Sequence, residues 1–182
     1  MHDGAGEGGP ILDAPTTNAH TGTRTAHALA LLSRPLLVRQ LADHLRCDLD
    51  TCMALVRRLR ARGRIRCLNP DARRGRVYVR ADVPVAGVDW ALYGWVCFAH
   101  RRAVLEALDE PRAPAELKRR ARFLHPDIRL SANNVRDLIR LFRARGIVVP
   151  VVVRGRAYPR YALTAQGRVL QRLVWEREAR HP

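Results

Sequence analysis

The chain repeats itself at an offset of 83 residues. Arg60-Ala61-Arg62-Gly63 returns as Arg143-Ala144-Arg145-Gly146, and the same shift puts Leu55, Val56 and Leu59 on Leu138, Ile139 and Phe142. Cys52 falls on Val135 and Asp48 on Ser131. Apolar positions three and four apart make both copies amphipathic helices. Asp48 or Asp50 is placed to cap the first, and Ser131 or Asn133 the second. Gly63 and Gly146 end them, since glycine accepts the left-handed conformation just past a helix. A chain of 182 residues that is 47% hydrophobic can build one ordinary domain or two small ones. The repeat selects two.

What flanks each helix repeats as well. PLLVRQLADHLRCDLD (35–50) reads as a short helix with Val38, Leu41 and Leu45 on one side, then a tight polar turn. APAELKRRARFLHPDIRLS (113–131) gives Leu117, Ala121 and Leu124 similar roles, with a longer connection in which His125-Pro126 shapes the loop. AHALALLSR (26–34) and AHRRAVLEAL (99–108) read as first helices, the second ending in exposed Glu106, Asp109 and Glu110. Trp90, Tyr93, Trp95 and Phe98 staple a linker helix to the second core. Downstream of Gly63, IRCL and RVYV flank NPDARRG, whose Asn-Pro-Asp and Gly are hairpin-turn chemistry. Downstream of Gly146, IVVPVVV and RAYPRYAL frame a second hairpin. Its Pro150 and Pro159 mark edges, because neither can donate to a ladder. Thr164 caps a final amphipathic helix with Val169, Leu170, Leu173 and Val174 on one side. Residues 1–22 hold few large apolar groups and are expected to be a disordered tail. The expected domains are 23–84 and 85–182.

Charge narrows the partner. The formal net charge is +16, from 33 basic and 17 acidic residues, and every basic residue but Lys118 is arginine. Residues 57–80 alone hold ten arginines and one acid, Asp71. So basic a chain repels itself when compact, and an anionic partner relieves that repulsion. Nucleic acid is the leading expectation; an acidic protein or a membrane surface would also meet the charge. Met1 is followed by His2, Asp3 and glycines rather than a signal-peptide pattern. The longest strongly apolar stretch, Ile147–Val153, is far below the ~20 residues of a membrane span. A cytoplasmic, nucleoid-associated protein is expected, and four cysteines fit a reducing compartment.

No catalytic constellation or phosphate-cradling glycine loop stands out, so neither enzyme activity nor a cofactor is expected. His44, Cys47, Cys52 and Cys67, or Cys97 with His100, do not form the paired Cys-x-x-Cys knuckles of a zinc site. Cys52 and Cys67 fall at apolar positions, where a thiol acts as a small hydrophobe. A sensing role for Cys47 and Cys52 would call for a depressed thiol pKa.

Helix, helix, turn, helix, hairpin, twice over, resembles tandem winged helix-turn-helix proteins. PLLVRQLADHLRCDLDTCMALVRRLRARGRI looks like the generic signature of the bacterial and archaeal family. DWALYGWVCFAHRRAVLEALDEPRAPAEL resembles the lead-in of archaeal winged-helix regulators, and YALTAQGRVL (161–170) their Y-x-LT-x-x-G exit from the wing. The resemblance spans about residues 23–175 and departs from the pattern at Cys47, where the turn commonly holds a glycine or small residue. It implies a mainly α fold with small β-hairpin wings, in two tandem domains.

The resemblance further implies that the helices near 50–62 and 133–145 enter the DNA major groove. Asn133, Asn134, Arg136, Asp137 and Arg140 would then face base edges. Asn pairs with adenine and Arg with guanine through two bonds each, and Asp accepts from cytosine. The matching positions in the first unit are Asp50, Thr51, Met53, Ala54 and Arg57, of which Thr51 and Arg57 are the reading candidates. Met53 and Ala54 suit a thymine methyl or an apolar protein contact. Arg58, Arg62, the wing residues Arg73, Arg74 and Arg76, and their counterparts Arg154 and Arg156 would rest on phosphates, giving affinity without sequence choice. The expected function is sequence-specific binding of double-stranded DNA in transcriptional control. A protein partner on domain 1 and a homodimer through the C-terminal helix are further expectations. The alternatives are a protein-interaction subunit, of the chromosome-segregation or basal-transcription kind, and nonspecific nucleoid or RNA binding.

Overall fold

The computed structural model describes residues 17–85, 87–152 and 159–178. Among them are eight helices and five strands, in the order α1 (Thr17–Leu31), β1 (Leu36–Leu37), α2 (Val38–Leu45), α3 (Leu49–Ala61), β2 (Ile65–Cys67), β3 (Val77–Arg80), α4 (Trp90–Val96), α5 (Ala99–Glu106), α6 (Pro114–Leu124), α7 (Ala132–Ala144), β4 (Val148–Val151), β5 (Arg160–Leu163) and α8 (Ala165–Glu178). The fold is helices with small sheets. The chain divides into two compact units. One holds the residues up to Arg66 with Tyr78–Val83; the other holds Cys67–Val77 and the residues from Pro84 on. The last break between the units falls between Val83 and Pro84. The loop of the first hairpin, however, belongs with the second unit.

The 83-residue repeat is carried by α3 and α7, each 13 residues long. Asp48 and Ser131 are the caps, and their side chains accept from the backbone N–H groups of Thr51 and Asn134. The hydroxyl and amide of Thr51 hold the Asp48 carboxyl below its usual pKa. The cap's contribution is therefore present above the ordinary aspartate pKa and is lost as pH falls through the lowered one. Both helices end alike. Arg64 N donates to Leu59 O and Gly63 N to Arg60 O; Ile147 N donates to Phe142 O and Gly146 N to Arg143 O. This pair of hydrogen bonds satisfies the last carbonyls and needs the left-handed glycines seen at φ 63° and 67°.

In the first unit, Ala28, Leu32, Leu36, Leu41, Leu55 and Val56 form the core. Two expectations are corrected here, and the turn at Cys47 is defined. Residues 17–22 are helical rather than part of a disordered tail: α1 is anchored by Ala28 and Leu32, and extending a formed helix costs far less than starting one. Residues 1–16 lie outside the described residues. Leu36 and Leu37 do not begin a helix but make a short strand beside β3, in a sheet ordered β1-β3-β2. Helix α2 starts only after Leu37, whose N–H donates to Gln40 Oε1 at 2.9 Å. Finally, the turn after α2 takes its left-handed residue at Arg46, φ 50°, and not at Cys47. A side chain strains that conformation. Arg46→Gly is expected to raise stability by about 0.5–1 kcal/mol, after glycine's own entropic cost, and a urea midpoint checks it.

In the second unit α5 sits among α4, α6, α7 and α8. The residues from Ala103 to Leu108, which close α5 and run just past its end, are all buried, including Glu106. That overturns the exposed placement of Glu106, while Asp109 and Glu110 are exposed as expected. A helix with neighbours on several sides buries more than one stripe, and a charge on it must be paired. His125 Nε2 donates to Glu106 Oε2, and Arg102 Nε lies 3.7 Å from Oε1. Helix α8 packs back through Leu170 and Val174, and Gln171 Nε2 donates to Leu105 O at 2.9 Å. Strands β4 and β5 are antiparallel, Val148 opposite Leu163 and Pro150 opposite Tyr161. Arg112 bridges to Tyr161, so this hairpin gains a third, one-residue strand just as β1 joins the first.

Loop 67–77 is fixed by Asn69, which is 5% exposed. Its Nδ2 donates to Gly75 O (3.0 Å) and Trp90 O (3.3 Å), and its Oδ1 accepts from Val77 N (2.8 Å). Asn69→Ala strips three backbone groups of their partner and is expected to cost about 1–3 kcal/mol, read by thermal or urea unfolding.

Candidate nucleic-acid interface

Helix α7 turns Val135, Leu138, Ile139 and Phe142 into the core and leaves Asn133, Arg136, Asp137 and Arg140 exposed on the other side. Those four recur at spacings of three and four, so the amphipathic pattern that builds the core also assembles the polar face. Each arginine is held by a neighbour one turn back: Arg136 Nη1 donates to Asn133 Oδ1 (3.3 Å) and Arg140 Nη1 to Asp137 Oδ1 (3.0 Å). Such exposed pairs are worth under about 1 kcal/mol and exchange readily for a ligand. Asn134 plays a different part. Its Oδ1 accepts from Ser131 N (3.2 Å) and Oγ (2.6 Å), which closes the cap of α7.

The same face runs into a cleft of about 430 Å³. Arg136, Arg140 and Arg143 line it along α7, with Pro114 at the start of α6 and Tyr161 of β5 opposite. No described residue lining it is acidic. Three guanidiniums over an apolar floor suit an anion with planar oxygens. Sequence reasoning singles out neither Arg143 nor Tyr161 for this site. The signal for Arg143 is its place seven residues after Arg136 on the same helix. Tyr161 reaches the cleft only because β5 folds back.

Further along the second unit, Arg145 and Arg101 each stand 4.2 Å from the centre of the Trp95 ring, and Trp95 meets Phe142 edge to face at 5.9 Å. The linker helix α4 is thus stapled to the core as expected. Burial, and then the Arg145 charge, hold Arg101 below the usual guanidinium pKa. Arg73, Arg74 and Arg76 remain exposed on loop 67–77, with Arg76 Nε donating to Ala72 O at 2.9 Å. Because Asn69 packs that loop against α4, these arginines sit on a docked platform rather than a free-standing tip. Arg154 and Arg156 lie outside the described residues.

In the first unit the outward side of α3 carries Asp50, Met53, Ala54 and Arg57, all exposed. Thr51 is committed to the cap, its hydroxyl donating to Asp48 Oδ2 at 2.6 Å. Arg58 and Arg62 are exposed near the helix end. Leu49 (42%) and Met53 (41%) leave apolar surface on α3 that α7 lacks at the matching positions Ala132 and Arg136. Among the described residues no group of three His, Cys, Asp or Glu side chains could hold a metal ion, and no helix is long and apolar enough to cross a membrane.

No protein-family model matches the chain. No curated protein matches it. It is similar to a solved structure, that of the DIP2311 protein from Corynebacterium diphtheriae, over 82% of this chain and 28% of that one, with 16% identity and a TM-score of 0.27. The chain thus spans less than a third of the length of that protein.

Proposed function

We propose that the chain is a non-enzymatic, sequence-specific binder of double-stranded DNA in transcriptional control, acting at the nucleoid and built from two tandem winged helix-turn-helix modules. The observation that carries this reading is the outward face of α7, where Asn133, Arg136, Asp137 and Arg140 run into a cleft lined by three arginines and no acid. That face can read base edges, Arg136 and Arg140 included, while Arg143, deeper along the cleft wall, is left to take a backbone phosphate. The net charge of +16 supplies affinity without sequence choice. Arg57 is the reading candidate left on α3, since the Thr51 hydroxyl is engaged by Asp48. Arg58, Arg62, Arg73 and Arg74 serve as backbone contacts.

A second reading is favoured by Leu49 and Met53, whose exposed apolar surface fits a protein partner on the first unit. Both readings meet one experiment, a mobility-shift titration against genomic fragments with competitor DNA. Selective retention of fragments sharing a short motif supports the regulator. Uniform retention points to a coating protein, and no retention at moderate salt to the protein partner. For duplex DNA, log K should fall with log salt by about 0.9 per phosphate contacted.

A further inference from the structure

Two guanidiniums share one indole in the second unit. Arg101 of α5 and Arg145, just past the end of α7, each stand 4.2 Å from the centre of the Trp95 ring, so they lie no more than twice that distance apart. The ring meets buried Phe142 edge to face, and Arg101 Nη1 donates to Trp95 O at 3.0 Å. Neither guanidinium has an acidic partner among the described residues. By contrast, Arg112, Arg120 and Arg160 of the same unit are paired with Asp109 or Glu116. Burial, and then the Arg145 charge, hold Arg101 below its usual pKa, as like charges do when no anion lies between them. Beside this pair is an aromatic face that the core does not use. Phe98 is 42% exposed, and Arg101 lies 5.1 Å from its ring centre. Loop 67–77 reaches the same ring, since a Cβ on Gly75 would stand 3.3 Å from Phe98 Cε2. Exposed Arg73 and Arg74 immediately precede Gly75 and so lie near Phe98.

We propose that this corner of the second unit holds single-stranded nucleic acid: Arg101 and Arg145 take a backbone phosphate, and Phe98 stacks an unpaired base beside it. Two guanidiniums left without a counter-charge gain most from an anion, and their planar N–H groups match phosphate oxygens. Trp95 does not stack the base, because both arginines already lie over its ring; it holds them in place. The exposed Phe98 ring decides between single strand and duplex. In a duplex the bases stack on one another, and a surface aromatic meets only sugar and phosphate. In a single strand a base can leave its neighbours and lie on the ring, and every base has a face that can do so. Such a site binds without sequence choice. It uses none of the residues on the polar face of α7.

The full chain is titrated by fluorescence anisotropy with labelled oligothymidylate of about 15 nucleotides, within the span that such surfaces cover, and with a mixed-sequence duplex of equal length. Phe98→Ala should lower single-strand affinity about 5- to 150-fold, the range for one stacked base, and leave duplex affinity unchanged. Phe98→Tyr keeps the flat ring and should keep the affinity. Phe98→Leu keeps apolar contact with Gly75 without the flat ring, and replaces the alanine variant if urea unfolding shows that one to be unfolded. Arg145→Ala should weaken the single strand and flatten the fall of log K with log salt by about 0.7, the value of one phosphate on a single strand. Arg39→Ala, which removes an exposed charge from the first unit, should stay close to wild type in both respects. No single-strand binding at moderate salt would overturn the proposal, as would unchanged binding in Phe98→Ala or Phe98→Leu. Equal loss on both ligands in Arg145→Ala would overturn it in favour of a duplex backbone contact. Displacement of the strand by thymidine monophosphate at equal nucleotide concentration would overturn it in favour of a free nucleotide. The single-strand titration stands whether or not the chain selects a duplex sequence.

Discussion

Glu106→Ala is expected to destabilise the second unit by about 1–3 kcal/mol, the cost of stripping a buried group of its hydrogen-bond partner. The carboxylate is 2% exposed and lies between His125, which donates to Oε2, and Arg102. His125 caps the end of α6, so the pair ties the centre of the unit to the turn that precedes α7. Alanine leaves two polar groups facing a cavity. Glu106→Gln keeps the shape and an acceptor for His125, and should cost clearly less than the alanine variant. Unfolding followed by urea for both variants checks this. A loss under about 1 kcal/mol in Glu106→Ala would mean that water replaces the carboxylate, and the turn would have to be held by packing alone.

Arg136→Ala and Arg140→Ala are each expected to reduce discrimination between a selected DNA site and random sequence by about 5- to 150-fold, the equivalent of about 1–3 kcal/mol for one bidentate base pairing removed. Both side chains are exposed and tethered only by Asn133 and Asp137, so alanine removes little folding stability. The two effects should be less than additive if the arginines share the same base step. Arg73→Ala with Arg74→Ala should behave differently, lowering affinity for all sequences alike and flattening the salt dependence by about 0.9 for each phosphate no longer neutralised. Quantitative mobility shifts with specific and random duplexes separate the two behaviours.

The parts of this molecule that are legible in its sequence are those whose causes are local. The caps Asp48 and Ser131, the apolar spacing of α3 and α7 and the glycine stops act within one or two turns of chain. Hence the repeat and the polar face of α7 can be read from residue order alone. What stays hidden depends on distant neighbours. Glu106 sits at a position that an isolated helix would expose, and only the surrounding helices bury it. Asn69 looks like turn chemistry, yet its amide serves Trp90, 21 residues on. The cleft beside α7 needs Tyr161 from a strand that returns across the start of α6. Asn134 and Thr51 illustrate the opposite case. Their residue types suit both a cap and a base contact, and the local use has taken atoms that a reading role would need.

The most direct test of the central claim compares two variants on two duplexes. A genomic fragment retained by the full chain under competition and a scrambled duplex of equal length are titrated against the wild type, Arg136→Ala, and Arg73→Ala with Arg74→Ala. Arg136→Ala should collapse the ratio of the two affinities, while the paired loop variant weakens both and leaves the ratio intact. An unchanged ratio in Arg136→Ala, with equal weakening on both duplexes, would contradict base reading by α7.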